Sequence, residues 1–297
     1  MFLRTLCSPT PYKVLIMTAQ TPFKRVWLIT GASRGIGAKI TAAALAHGDA
    51  VVATARNAQS ISERFGAQPG LLAAQLDVTD EAQARDVAQM AVEHFGRIDV
   101  LVNNAGFGLL GAVEEASGDE IRRVYETNVF GLLNVTRGVL PHMRAARSGH
   151  VINISSIGGY QSGPGYGVYC STKFAVEGLS EALHSELAPL GVKVTVVEPG
   201  FFRTDFLDGN SLLESPASIV DYSATVGEVR QQAKAYNQQQ PGDPDKLAQA
   251  MIALVEAKQP PLRLPLGTDT LGAIAAKNAY VEQEIATWRA LSASTDF

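Results

Sequence analysis

The chain is predicted to fold as a doubly wound α/β domain, a parallel sheet of about seven strands covered by helices on both faces. Apolar runs of strand length alternate with helical patterns almost throughout, and strands that are apolar along their whole length belong in sheets buried on both sides. Right-handed crossovers then place the helices on the two faces. The first strand also runs straight into a glycine-rich turn, at the kind of position where such sheets bind ligands.

The elements follow in order. RVWLITG (25–31) is the first strand, and a helix runs over Ile36 to His47. DAVVATAR (49–56) is the second strand, followed by a short helix near 58–65. LLAAQLDVT (71–79) is the third, with a helix over 80–95, and DVLVNNAG (99–106) is the fourth. A single long helix is expected over 119–147, before the fifth strand HVINISS (150–156). The helix ending near Ala188 carries Val176, Leu179, Leu183 and Leu187 at helical spacing, which predicts one buried face. KVTVVEPG (193–200) is the sixth strand and PPLRLPLG (260–267) the last, with helices over 243–257 and 269–291. The segment 205–240 breaks the alternation just after a strand's C-terminal end, so it is expected to be a substrate lid. Its glutamines around 231–240 read as a solvated helix end and loop. No linker or repeat divides residues 25–297, which read as one domain.

Hydrophobic residues make up 46% of the chain and charged residues 18%, the composition of a globule with a large core. A formal net charge of −4 gives no basic field for nucleic acid. Cys7 and Cys170 form no disulfide framework, which fits a reducing, cytoplasmic setting. No apolar run reaches the ~18 residues of a membrane span. Pro9 and Pro11 break the apolar N-terminus and no small-residue cleavage site follows, so residues 1–24 read as a disordered extension, with Met17 a second candidate start.

The turn after the first strand is TGASRGIG, with Gly31, Gly35 and Gly37 spaced G-x-x-x-G-x-G. Such glycines let backbone approach a ligand closely, and the following helix offers unpaired N–H groups to a pyrophosphate. The second strand ends in Ala55 and Arg56, where an NAD site usually carries an acid. Arg34 lies inside the loop. Two guanidiniums suit a 2′-phosphate, so NADP(H) is favoured and NAD(H) stays open.

TGASRGIG, NNAG (103–106), Asn128, the serines 155 and 156, YCSTK (169–173) and PGFFRT (199–204) occur in this order. The set resembles the short-chain dehydrogenase/reductase family, in its compact single-domain branch, over about 25–267. YCSTKFAVEGLSEAL and EPGFFRTDF look most like the hydroxysteroid-dehydrogenase-type group. The resemblance implies a Rossmann-type fold and an NAD(P)-dependent oxidoreductase acting on alcohol or carbonyl groups.

Carried over residue by residue, it makes Tyr169 the acid/base and Lys173 its partner, which also holds the nicotinamide ribose. The two are four apart and share a helix face. A nearby ammonium is expected to lower the ordinary phenol pKa of ~10. The family serine precedes its tyrosine by about 13 positions, selecting Ser156 over Ser155 as the donor to the substrate oxygen. Asn128 would support a water relay to the lysine. Gly31, Ser33, Arg34, Gly35, Ile36, Gly37 and Arg56 would hold the phosphates. Asp77 and Val78 would lie by the adenine, and Asn103, Ala105 and Gly106 against the cofactor. Pro199, Gly200 and Thr204 would flank the nicotinamide. In the family the helices here at 119–147 and 167–188 pair between subunits, implying a homodimer or homotetramer.

Phe201, Phe202, Phe206, Leu207, Leu212 and Leu213 follow the sixth strand, and Phe107 follows NNAG. They point to a small hydrophobic ketone or secondary alcohol as substrate. The five histidines are scattered without ligand spacing, so no metal is expected. The paired acids Glu114 and Glu115 read as an exposed loop with no catalytic part. The alternatives are an NAD-linked hydroxysteroid-type dehydrogenase working oxidatively and a non-catalytic dinucleotide-binding regulator.

Overall fold

The first strand, β1 (Val26–Ile29), is buried along its length and shows why the sheet needs cover on both faces. Side chains alternate across a strand. Val26 and Leu28 therefore join one hydrophobic cluster and Trp27 and Ile29 the other. The computed structural model describes residues 23–209 and 211–297. Apart from Phe23 and Lys24, the expected N-terminal extension lies outside the described residues.

From β1 the chain continues through α1 (Gly35–Ala46), β2 (Ala50–Ala55), α2 (Gln59–Phe65), β3 (Leu71–Gln75), α3 (Glu81–Phe95), β4 (Val100–Asn103) and a short β5 (Gly108–Leu110). Then come α4 (Gly118–Tyr125), a π-helical segment Glu126–Gly131, α5 (Leu132–Ala146), β6 (Gly149–Ile154), α6 (Gly167–Leu187) and β7 (Val192–Pro199). The last elements are β8 (Leu212–Glu214), α7 (Glu228–Tyr236), α8 (Pro244–Glu256), β9 (Arg263–Leu266) and α9 (Thr268–Ala293).

Seven strands form one parallel sheet in the order β3-β2-β1-β4-β6-β7-β9. The order reverses between β1 and β4, and the crevice at their C-terminal ends is the site-forming place in this architecture. Residues of α3 and α5 complete the cluster containing Val26 and Leu28. Residues of α1 and α8 complete the cluster containing Trp27 and Ile29. Local chemistry sets the helix ends. Asp80 caps α3 by accepting from the N–H groups of Ala82 and Gln83, and Gly96 closes it at φ +82°. Ser117 and Glu120 form a reciprocal capping box on α4.

Three local expectations are corrected. The third strand stops at Gln75, because Asp77 turns back: its Oδ1 accepts from the backbone N–H and hydroxyl of Thr79. The single helix over 119–147 carries a π segment, and a Cβ on Gly131 would lie 2.5 Å from a Val78 methyl. The segment 205–240 is not irregular throughout. It contains α7, and β8 pairs in parallel with β5 to make a second, two-stranded sheet. On α6, Val176 and Leu187 are fully buried while Leu179 and Leu183 are only half-buried, and Thr172, Glu177 and Ser180 complete the inner face. Among the described residues no helix is long and apolar enough to cross a membrane.

His150 on β6 gives the fold an acid-sensitive point. Burial, with a smaller contribution from Lys193, pushes its pKa down to about 4. Its Nε2 lies 2.9 Å from the Thr195 hydroxyl. The unfolded chain takes up the proton first as pH falls, so this contribution is complete above pH ~6.5 and is lost down to about 4. The depression corresponds to about 3 kcal/mol. Urea denaturation at pH 7.5 and 4.5 is expected to show this loss in the wild type and a smaller one in His150→Gln. Equal losses would contradict it.

Candidate active site

The loop after β1 makes an anion cradle. Gly31 and Gly35 have φ of +65° and +55°, values at which glycine carries no steric penalty. A Cβ built on Gly35 would meet nothing within 4 Å, so the backbone there faces open space. The first turn of α1 holds no acidic residue to compete with a bound anion. Gly37 has a different part. A Cβ there would lie 2.4 Å from the Gly31 carbonyl oxygen, so this glycine lets the helix close onto the loop and is not on the cleft wall.

A cleft of about 980 Å³ runs from this loop across the sheet's C-terminal edge. That is at the upper end for small-molecule sites. Ser33, Arg34, Ile36 and Arg56 line it at the loop end, together with Asp77 and Val78. Arg64, not anticipated, donates from Nε to the Ser33 carbonyl at 2.9 Å and braces the loop. It lies on α2, where only the folded chain brings it to the glycines.

The NNAG segment divides its work. Asn103 does not reach the cleft. Its Nδ2 donates to Thr136 Oγ1 and Asn153 Oδ1, both at 2.9 Å, within the buried interior. Alternation at the end of β4 turns its side chain inward, behind the cleft wall. Asn104 lines the cleft instead, donating to the carbonyls of Thr30 and Gly31 at 2.9 and 3.1 Å. The Thr30 hydroxyl accepts from the N–H groups of Asn104 and Ala105. Ala105 and Gly106 continue the wall.

Ser156, Tyr169 and Lys173 meet on that wall. Ser156 follows β6 and shares the cleft wall with Tyr169, while its Oγ accepts from the Gly158 N–H at 3.0 Å. Lys173, one turn along α6, donates from Nζ to the Ile154 carbonyl at 2.8 Å and lies 5.9 Å from the Tyr169 ring centre. Ser155 is buried and also lines the cleft. Asn128 is only 2% exposed and is not on the wall. Its side chain clamps Phe107, accepting from the N–H at 3.0 Å and donating to the carbonyl at 2.9 Å, and it donates to Thr172 Oγ1. Asn128 lies within the π segment, whose altered hydrogen-bond ladder is typical of functional helices.

The charges differ from the expected pattern in one respect. Burial pushes the Tyr169 phenol up, and the Ser156 side chain opposes this. Lys173 does not reverse it. Burial brings the lysine down to about 8, partly offset by Glu177 one turn further on. Desolvation is the dominant influence on the phenol, which keeps Tyr169 in its protonated form.

At the far end Pro199, Gly200 and Thr204 line the cleft. Asp269 accepts from the Phe201 N–H at 2.8 Å, and the Thr204 hydroxyl accepts from the Phe206 N–H. Phe107, Phe201, Phe202, Phe206, Leu207 and Leu213 are on the wall, whereas Leu212 is buried beside Leu110 and Ala233. The Phe206 ring centre is 5.7 Å from that of Tyr169. Gln240 is buried on the wall, contrary to the expected solvated loop.

The family model for short chain dehydrogenases matches residues 25–212. The chain belongs to this family. It is therefore an oxidoreductase, as the curated relatives also are by name. Oxidoreductase BOA17 of Botryotinia fuckeliana is 38% identical over 90% of this chain and 98% of its own length. The 3-ketodihydrosphingosine reductase of Bacteroides thetaiotaomicron is 41% identical over 82% and 88%. A solved short-chain dehydrogenase from Streptomyces avermitilis superposes with a TM-score of 0.85 at 42% identity, covering 92% of this chain and all of its own.

Proposed function

We propose that this short-chain dehydrogenase is an NADPH-dependent carbonyl reductase, or secondary alcohol dehydrogenase in reverse, acting on a hydrophobic ketone. The observation that carries the reading is the Ser156–Tyr169–Lys173 group on one cleft wall, between the anion cradle and an apolar end. The cradle fits a dinucleotide pyrophosphate, and the nicotinamide, when bound, supplies the hydride. The chain's own residues manage position and the proton. Ser156 donates to the substrate oxygen as negative charge grows there. Tyr169 then delivers its proton to that oxygen, and its protonated resting form suits the reductive direction. Lys173 places a positive charge near the phenol and is available to the nicotinamide ribose. Asn128 holds the turn at Gly106 and Phe107 against α6.

Specificity for the phosphorylated cofactor rests on Arg34 and Arg56, both on the wall where a ribose-binding acid would otherwise stand. The apolar walls, and a ketone reductase among the relatives, support a substrate with aliphatic or alicyclic character. The test is a titration with NADPH and NADH followed by nicotinamide fluorescence. Arg56→Ala is expected to weaken NADPH binding roughly ten-fold or more and to leave NADH nearly unchanged. Equal binding of both by the wild type would overturn the 2′-phosphate assignment and favour the oxidative NAD-linked enzyme.

A further inference from the structure

Glu115 is not the exposed acid expected from the sequence. Glu114 is exposed, but Glu115 is only 5% exposed. Its carboxylate collects donors from three parts of the chain. Oε2 accepts from the Ala112 N–H in its own turn at 2.8 Å. Oε1 accepts from the Ile219 N–H at 2.8 Å. Arg230 Nη2, on α7, donates to Oε2 at 2.8 Å. These bonds, led by those from Ile219 and Ala112, hold its pKa below the usual carboxylate range.

Arg230 spreads the same anchor along the chain. Nη2 also donates to the Ala217 carbonyl, and Nη1 donates to Glu214 and to the Ser215 carbonyl, all at 3.0 Å. The Ser215 hydroxyl returns to the Glu115 carbonyl at 2.9 Å. A Cβ on Gly111 would lie 2.9 Å from Ser215 Cβ, so the two segments approach as closely as glycine permits.

The anchored strand β8 is also part of the cleft. Leu213, beside Glu214, lines the cleft, and Leu212 packs with Leu110, Ala233 and Leu207. Leu207 lines it too, next to Phe206, which faces Tyr169. We propose that Glu115 and Arg230 are positioning residues for the substrate, a buried ion pair that fixes β8 and α7 against the body and so sets the apolar wall of Phe206, Leu207 and Leu213 opposite Tyr169. The inference rests on the ketone-reductase reading for what the wall binds, and on the geometry alone for how the wall is held.

The variants are Glu115→Gln, Arg230→Met, their double variant and Arg230→Lys, compared with the full-length wild type. In Glu115→Gln and Arg230→Met the KM for an aliphatic ketone such as 2-decanone is expected to rise roughly ten-fold or more, with a smaller change in kcat. NADPH binding, read by fluorescence, stays unchanged. Chymotryptic cleavage at Phe206, Leu207 and Leu213 accelerates by a similar factor as the wall opens. Arg230→Lys restores part of the wild-type KM, because one ammonium can still reach Glu115. The double variant removes the stranded buried charge, so its thermal stability recovers while KM stays high. Wild-type KM and wild-type cleavage rates in folded Glu115→Gln and Arg230→Met would overturn the proposal. So would a KM that recovers with stability in the double variant, since the pair would then be structural only. If the wild type reduces no ketone, faster cleavage in the variants still supports the anchor, and the reductase reading alone fails.

Discussion

Tyr169→Phe is expected to lower ketone reduction by about 10²–10⁴-fold while leaving the fold and NADPH binding intact. The hydroxyl lies on the cleft wall with Ser156 and Lys173 and carries a transferable proton. Removing it leaves Ser156 to polarise the carbonyl, but nothing in its place to donate the proton. The phenyl ring keeps its contact with Phe206, so the substrate wall is undisturbed. Lys173 keeps its bond to the Ile154 carbonyl. The loss therefore belongs in kcat, with KM and the cofactor dissociation constant close to wild type. Single-turnover reduction with NADPH and a fluorescence titration of the same preparation separate these quantities. Turnover within ten-fold of wild type would remove Tyr169 from the acid role and return the proton to solvent or to another group.

The parts of this site that were legible in the sequence are those whose partners lie nearby in the chain. Tyr169 and Lys173 are one helical turn apart, and the three glycines sit within one turn between a strand and a helix. Both arrangements follow from local geometry. The central strands β1, β2 and β4 were legible because burial on both faces makes each an almost wholly apolar run, while the edge strands β3 and β9 are only partly buried. The parts that were not legible depend on distant partners. Glu115 meets Ile219 and Arg230 across 104 and 115 residues, and nothing in a pair of adjacent acids announces that.

The small sheet escaped for a related reason. Gly108–Leu110 and Leu212–Glu214 are three residues each, too short for a period of two to show. Asn103 and Asn104 are adjacent and identical in type, so only the pleat decides that the first enters the interior and the second faces the cleft. The π segment around Asn128 lies inside an unbroken helical pattern, and one inserted residue in the ladder leaves no compositional trace. In the charge balance, proximity of Lys173 to Tyr169 was visible, but the burial that dominates the phenol is a property of the folded chain.

Gly37→Ala carries the second large effect and acts on the cradle rather than the chemistry. The added methyl would lie 2.4 Å from the Gly31 carbonyl oxygen and 2.5 Å from Asn104 Nδ2. Neither neighbour is free to yield. The Gly31 carbonyl accepts from Asn104, and Asn104 is tied to Thr30 through both its side chain and its N–H. Helix α1 must then tilt away from the loop, which misaligns the N–H groups that would receive the proposed pyrophosphate. Overpacking of this kind costs about 1–3 kcal/mol of stability, and misaligned N–H bonds to a charged group are expected to weaken NADPH binding roughly ten-fold or more. Gly178→Ala is the matched control. It sits within α6 where a Cβ meets nothing within 4 Å, so there alanine is expected to stabilise by about 0.5–1 kcal/mol. Thermal melts of the two variants with and without NADPH read both effects. Gly37→Ala should melt early and gain little from cofactor, whereas Gly178→Ala should gain as much as wild type. A Gly37→Ala protein that binds NADPH normally would show that the loop tolerates the helix moving, and would shift the cofactor's main hold to Arg34, Arg56 and the Tyr169–Lys173 end of the cleft.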